Sequence, residues 1–106
     1  MSTQLKKGVL ELCVLNILLQ EDSYGYDIYQ DINSNMTISE STIYPILRKL
    51  VKEGFCKTYL KESNEGPARK YFEITELGKS KLDILHTDWI NFYQTVNQMI
   101  GSGLHE

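Results

Sequence analysis

A chain of 106 residues fits one compact domain and leaves little room for a second. No apolar run approaches the ~20 residues that cross a membrane, and Cys13 and Cys56 are too few and too far apart for a disulfide scaffold, a metal site or a redox pair. The net charge of −3 hides an asymmetry: residues 41–72 carry seven cations (Arg48, Lys49, Lys52, Lys57, Lys61, Arg69, Lys70) against Glu53, Glu62 and Glu65, a net of +4 on an otherwise acidic body. Such asymmetry informs about partners, not about fold.

A first helix is expected over residues 5–20. Its apolar residues, from Leu5 through Val9, Leu10, Val14, Leu15, Leu18 and Leu19, point in nearly every direction. That pattern belongs to a central helix buried on most sides. The basic pair Lys6 and Lys7 is followed by an apolar stretch, but Glu11 and Asn16 interrupt that stretch, so it does not read as a signal peptide. Ser23 is the expected N-cap of a second helix over about residues 24–34, with Tyr24, Ile28 and Ile32 on one face.

Ser39 or Ser41 caps a third helix that runs to about Glu53. With Ser41 as cap, Pro45 falls within the first four helical residues and sacrifices no bond; with Ser39, a slight kink is expected. Ile43, Ile46, Leu47, Leu50 and Val51 form its buried stripe, and Gly54 stops it. Residues 55–61 and 68–74 read as two strands around the turn cluster Glu62-Ser63-Asn64-Glu65-Gly66-Pro67. Thr75 then caps a long helix to about Ile100, which Gly101-Ser102-Gly103 closes. The order is mainly α with a small β-hairpin: a winged helix-turn-helix over residues 1–74, followed by a C-terminal helix over residues 75–106. The third helix is the candidate for the major groove and the hairpin is the wing.

The leucine-rich opening LKKGVLELCVLNILL, Tyr24-Gly25-Tyr26, Ser41-Thr42-Ile43-Tyr44-Pro45, and the wing sequence Arg69-Lys70-Tyr71-Phe72 with Thr75-Glu76-Leu77-Gly78 follow one another along the chain. As a set and in this order they resemble the motifs of the PadR family of bacterial transcriptional regulators. The single C-terminal helix is similar to the family's short branch, which implies dimerisation through that helix. The resemblance also implies repression as the usual sign of regulation.

Arg69 and Lys70 at the wing are placed to meet backbone phosphate or the minor groove. Ser41, Thr42 and Tyr44 occupy the start of the third helix, where free amides suit phosphate and short side chains reach base edges. One of Arg48 and Lys49, a turn later, is expected to face DNA and the other solvent. Tyr24 either donates its hydroxyl to phosphate or packs in the core. Double-stranded DNA with inverted half-sites is the expected partner.

Along the last helix Leu82, Leu85, Trp89, Phe92, Val96 and Met99 repeat at alternating steps of three and four, a heptad seam expected to bind a second copy of the chain. Ile90, Tyr93 and Ile100 form a second stripe, assigned to the chain's own first helix. Trp89 reads either as an interface anchor or, with Leu85 and Phe92, as the lining of a pocket for a planar aromatic molecule. The second reading draws on the resemblance, because a tryptophan in the C-terminal helix stacks flat drugs in one branch of the family. His86 with Asp83 lacks a third ligand at helical spacing and reads as a solvated pair. No metal or cofactor is expected, no enzyme motif is present, and a reducing cytoplasm is the expected compartment. The expected function is a dimeric transcriptional repressor released by a small aromatic ligand; the alternative is a winged-helix protein-interaction module without ligand sensing.

Overall fold

The computed structural model describes residues 9–104. The expectations for the first turn from Leu5, for Lys6 and Lys7, and for the chain's end beyond Leu104 lie outside the described residues. The elements in order are α1 (Leu10–Gln20), β1 (Ser23–Tyr24), α2 (Gly25–Asn35), α3 (Glu40–Lys52), β2 (Cys56–Ser63), β3 (Gly66–Ile74) and α4 (Glu76–Leu104). The strands form one antiparallel sheet in the order β1-β3-β2. This is a winged helix with a long C-terminal helix.

The core lies where α1, α2 and α3 converge on the base of the sheet. Leu10, Val14, Leu15 and Leu18 from α1 meet Ile28, Ile32, Ile43, Leu47 and Leu50, with Cys56, Phe72, Ile74 and Leu82 closing the cluster. α1 is less enclosed than its composition suggests: Leu12, Cys13 and Ile17 are half-buried and Leu19 is exposed.

Two local motifs fix the wing against α3 and α4. At the end of α3 the Gly54 amide donates to the Val51 carbonyl and the Phe55 amide to that of Leu50, at 3.0 and 2.9 Å. This paired arrangement needs a left-handed residue between them, and Gly54 supplies it with φ of 83°. At the start of α4 the Gly78 amide donates to Thr75 Oγ1 at 3.0 Å, while the Thr75 hydroxyl donates to the Gly54 carbonyl at 2.7 Å. The expected cap at Thr75 is therefore also a tie across to the end of α3.

Several element ends differ from the sequence reading. Ser23 does not cap α2. It lies in β1, paired with Phe72 while Tyr24 pairs with Tyr71, because the open edge of β3 recruits this short extended segment. Ser39, not Ser41, stands before α3, and its hydroxyl bonds to the hydroxyls of Ser41 and Thr42 instead of capping an amide. Pro45 is thus well inside the helix, and the exposed Ser41 carbonyl forgoes its bond from that position. The Asn33 carboxamide oxygen accepts the Ile38 amide at 3.0 Å and closes the turn between α2 and α3. The hairpin strands run further than expected and leave only Asn64 and Glu65 at the tip. α4 continues through Gly101 to Leu104.

Candidate nucleic-acid interface

α3 and the wing stand side by side on one face. Ser41, Arg48 and Lys49 are exposed on α3, Thr42 and Tyr44 are half-buried near its start, and Arg69 and Lys70 are exposed on β3. Among the described residues, ion pairs engage Lys49, Lys57 and Lys79. Arg48, Lys52, Lys61, Arg69 and Lys70 are left without a carboxylate.

The wing cations rest on aromatic rings. The Arg69 guanidinium lies 5.0 Å from the centre of the Tyr24 ring, and Lys61 Nζ lies 5.0 Å from that of Tyr71. Tyr71 in turn neighbours Tyr24 at 6.3 Å and stacks on Tyr59 at 5.8 Å. The Tyr59 hydroxyl donates to Asp22 Oδ2 at 2.7 Å, which ties the wing to the segment before β1. That hydrogen bond, with burial and the Asp22 charge, pushes the Tyr59 phenol up to about 12. Tyr24 is thus half-buried beneath a wing cation, a place between the two anticipated.

Between α3 and the wing runs a groove of about 400 Å³. Leu47, Val51 and Phe72 form its floor, Tyr24 and Tyr44 flank the position where Gly25 has no side chain, and Arg48, Lys52 and Lys70 stand at its rim. A Cβ on Gly25 would lie 3.3 Å from the Tyr44 ring, so glycine keeps this passage open. Burial, helped by the Glu40 carboxylate, raises the pKa of the Tyr44 phenol.

Arg48 and Lys49 part company. Lys49 Nζ lies 2.6 Å from Glu11 Oε1 on α1, and that hydrogen bond raises its pKa. Arg48 points into the groove instead. Lys52 joins Arg48 there; the sequence reading counted it only in the basic segment, although its i,i+4 spacing from Arg48 was a signal.

A second groove, about 380 Å³, separates α1 from α4. Trp89 lines it together with Leu12, Cys13, Leu19, Leu82 and His86. Of the expected pocket residues, Leu85 packs beside the core and Phe92 stays exposed, so within one chain neither shares that groove with Trp89. Leu82 is only 6% exposed and belongs to the chain's own core, a correction to its expected place in the seam between subunits. Among the described residues, no group of three or more His, Cys, Asp and Glu side chains is arranged to hold a metal ion, and no helix is long and apolar enough to cross a membrane.

The transcriptional regulator PadR-like family matches residues 14–84, from the middle of α1 through the wing into α4. The chain belongs to this family. As a PadR-like protein it is a DNA-binding transcriptional regulator and not an enzyme. Its structure is similar to that of a PadR-like transcriptional regulator from Bacillus cereus, at 39% identity and a TM-score of 0.83, covering 92% of this chain and 97% of that one. A transcriptional regulator from Clostridium thermocellum matches with a TM-score of 0.84 at 27% identity, over 94% and 98% of the two chains. The negative transcriptional regulator PadR of Bacillus subtilis is 27% identical over 96 residues, which are 87% of this chain and 50% of that regulator. The PadR-like chain therefore spans about half the length of that relative.

Proposed function

We propose that this PadR-like regulator is a homodimeric repressor that grips double-stranded DNA with α3 and the wing, and that a planar aromatic ligand near Trp89 releases it. The observation that carries the DNA-binding face is the placing of Arg48, Lys52, Lys61, Arg69 and Lys70, none of them ion-paired among the described residues, on α3 and the wing. In this reading α3 enters the major groove with Ser41, Thr42 and Tyr44 nearest the bases, and the wing follows the backbone. Arg69 and Lys70 meet phosphate, Arg48 meets phosphate or a base edge, and Tyr24 steadies Arg69 from beneath. Lys49, held by Glu11, contributes little. A two-fold dimer then reads inverted half-sites about one helical turn apart. The repressive sign rests on the likeness to the negative regulator of Bacillus subtilis.

Selection from a random-duplex library, followed by mobility shifts, tests the placement. Arg69→Ala and Lys70→Ala should each weaken binding on most sequences and lower the log–log salt slope by about 1, as the loss of one phosphate contact does. Thr42→Ala and Tyr44→Ala should also change base preference, whereas Lys49→Ala should leave both nearly unchanged. If Arg69, Lys70, Thr42 and Tyr44 can all be replaced without effect, the DNA face lies elsewhere.

A further inference from the structure

The groove between α3 and the wing has a property that DNA contact does not use. Its floor is apolar, formed by Leu47, Val51 and Phe72, whereas its rim carries Arg48, Lys52 and Lys70. No carboxylate lines it, and among the described residues none of the three rim cations is ion-paired. A phosphodiester backbone satisfies the rim but offers nothing to the floor. A molecule with both an apolar body and an anionic head satisfies both.

We propose that this groove is a binding site for an amphiphilic monocarboxylate with an unbranched acyl chain, and that its occupancy excludes DNA. Tyr44, Leu47 and Val51 line it along one face of α3. From the first to the last of these the helix rises about 10 Å, roughly the length of an extended eight-carbon chain. Gly25 keeps the passage open beside Tyr44 and Phe72, since a Cβ there would lie 3.3 and 3.4 Å from their rings. The head group draws on Arg48, Lys52 and Lys70, all three of which the proposed function places on the DNA face. Ligand and DNA therefore compete for the same charges, and release needs no change of conformation. The exclusion of DNA rests on the proposed DNA face; the acyl-carboxylate site itself does not.

The test uses the full chain at low salt, with sodium octanoate, octan-1-ol and sodium acetate as probes. Methyl-resolved NMR should show octanoate shifting the Val51 and Leu47 resonances. Titrations should give octan-1-ol at least tenfold weaker binding and acetate none. Across hexanoate, heptanoate and octanoate, affinity should rise about fourfold per methylene. Gly25→Ala and Val51→Phe, each confirmed as folded by circular dichroism, should lose octanoate at least tenfold. Trp89, the single tryptophan, lines the other groove, so its emission should stay constant.

Octanoate should also release a fluorescein-labelled duplex at constant ionic strength, and acetate should not. Equal release by acetate would mean screening and would overturn the proposal. So would octanoate that shifts Trp89 emission but leaves the Val51 methyls unmoved at millimolar concentration. If Arg69→Ala and Lys70→Ala bind duplex like the parent chain, the exclusion of DNA falls together with the reading it rests on. If those variants are impaired and octanoate does not bind, the acyl-carboxylate site alone has failed.

Discussion

A Cβ placed on Gly78 would lie 2.1 Å from the Phe55 carbonyl oxygen and 2.8 Å from Ile74 Cγ1. That carbonyl cannot step aside freely, because it accepts the Thr75 amide at 3.1 Å. Gly54 differs: a Cβ there meets only Leu77 Cδ2, at 3.7 Å, and the obstacle is its φ of 83°. Gly78→Ala should therefore cost about 3 kcal/mol through overpacking, and Gly54→Ala about 1 kcal/mol through left-handed strain. In a domain of this size each kcal/mol lowers the melting temperature by about 4–8 °C. Calorimetry should find the Gly78 variant at least twice as far below the parent as the Gly54 variant; the reverse order would show that the wing and α4 separate easily. The Thr-x-x-Gly pattern marks this junction in the sequence, but its reason, a carbonyl from the end of α3 pressed against α4, is tertiary.

The wing is held to the body as an element by the hydrogen bond from Tyr59 to Asp22 and by the rings of Tyr24, Tyr59 and Tyr71. The Tyr59 phenol, pushed up to about 12, binds its proton more tightly in the folded chain than in the unfolded one. Its contribution to stability is thus complete below pH ~10, the ordinary tyrosine value, and fades as the pH rises toward the folded value. Absorbance titration at alkaline pH should show Tyr59 ionising last, after the more weakly raised Tyr44, and Tyr59→Phe should remove that last phase and flatten the matching fall in melting temperature. A last phase left unchanged by the substitution belongs to another ring. Thr75 and Gly54 were legible in the sequence because caps and helix stops are local chemistry. The two-residue strand at Ser23 was not, because it exists only where β3 offers an open edge. The continuation of α4 through Gly101 was also hidden, since a single glycine weakens a helix by only about 1 kcal/mol. The choice between Arg48 and Lys49 depends on Glu11, 38 residues away in the chain, which no spacing within α3 could show. The wing cations were legible from charge and motif; the groove they share with Lys52 required the packing of α3 against the sheet.

Taken whole, the chain measures 59 × 27 × 20 Å, a length that a body with this core does not need. α4 supplies the extension. Leu82 and Leu85 pack on the core, but beyond them both expected stripes lie open: Phe92 is 65% exposed, Met99 76% and Ile100 53%, and Val96 is partly covered. The assignment of the Ile90, Tyr93 and Ile100 stripe to the chain's own first helix is therefore corrected, since all three are exposed. An apolar face of this extent is unusual for a monomer, which supports the proposed homodimer. Truncation before Leu82 would be a poor test, because it removes a core residue. Phe92→Glu and Met99→Glu alter exposed positions and should leave the single chain folded while placing charge in the apolar seam. At micromolar concentration sedimentation should give the parent chain twice its mass of 12.3 kDa and the double variant a single mass. Trp89 reports on the same event from within. It is 38% exposed and neighbours Tyr93 at 5.8 Å, so association that covers α4 should dry its surroundings and shift its emission to the blue. If two such indoles near the two-fold axis hold a flat ring between them, planar cationic dyes should quench that emission in the dimer at micromolar concentration and weaken DNA binding. The double variant should lose the quenching together with the dimer, because the pocket then has only one wall. Quenching that persists unchanged in a monomer would place the dye in the groove between α1 and α4 of one chain, and release of DNA would then have to arise from a ligand-dependent shift of α1 against α4, since a ligand with equal affinity for both arrangements shifts nothing.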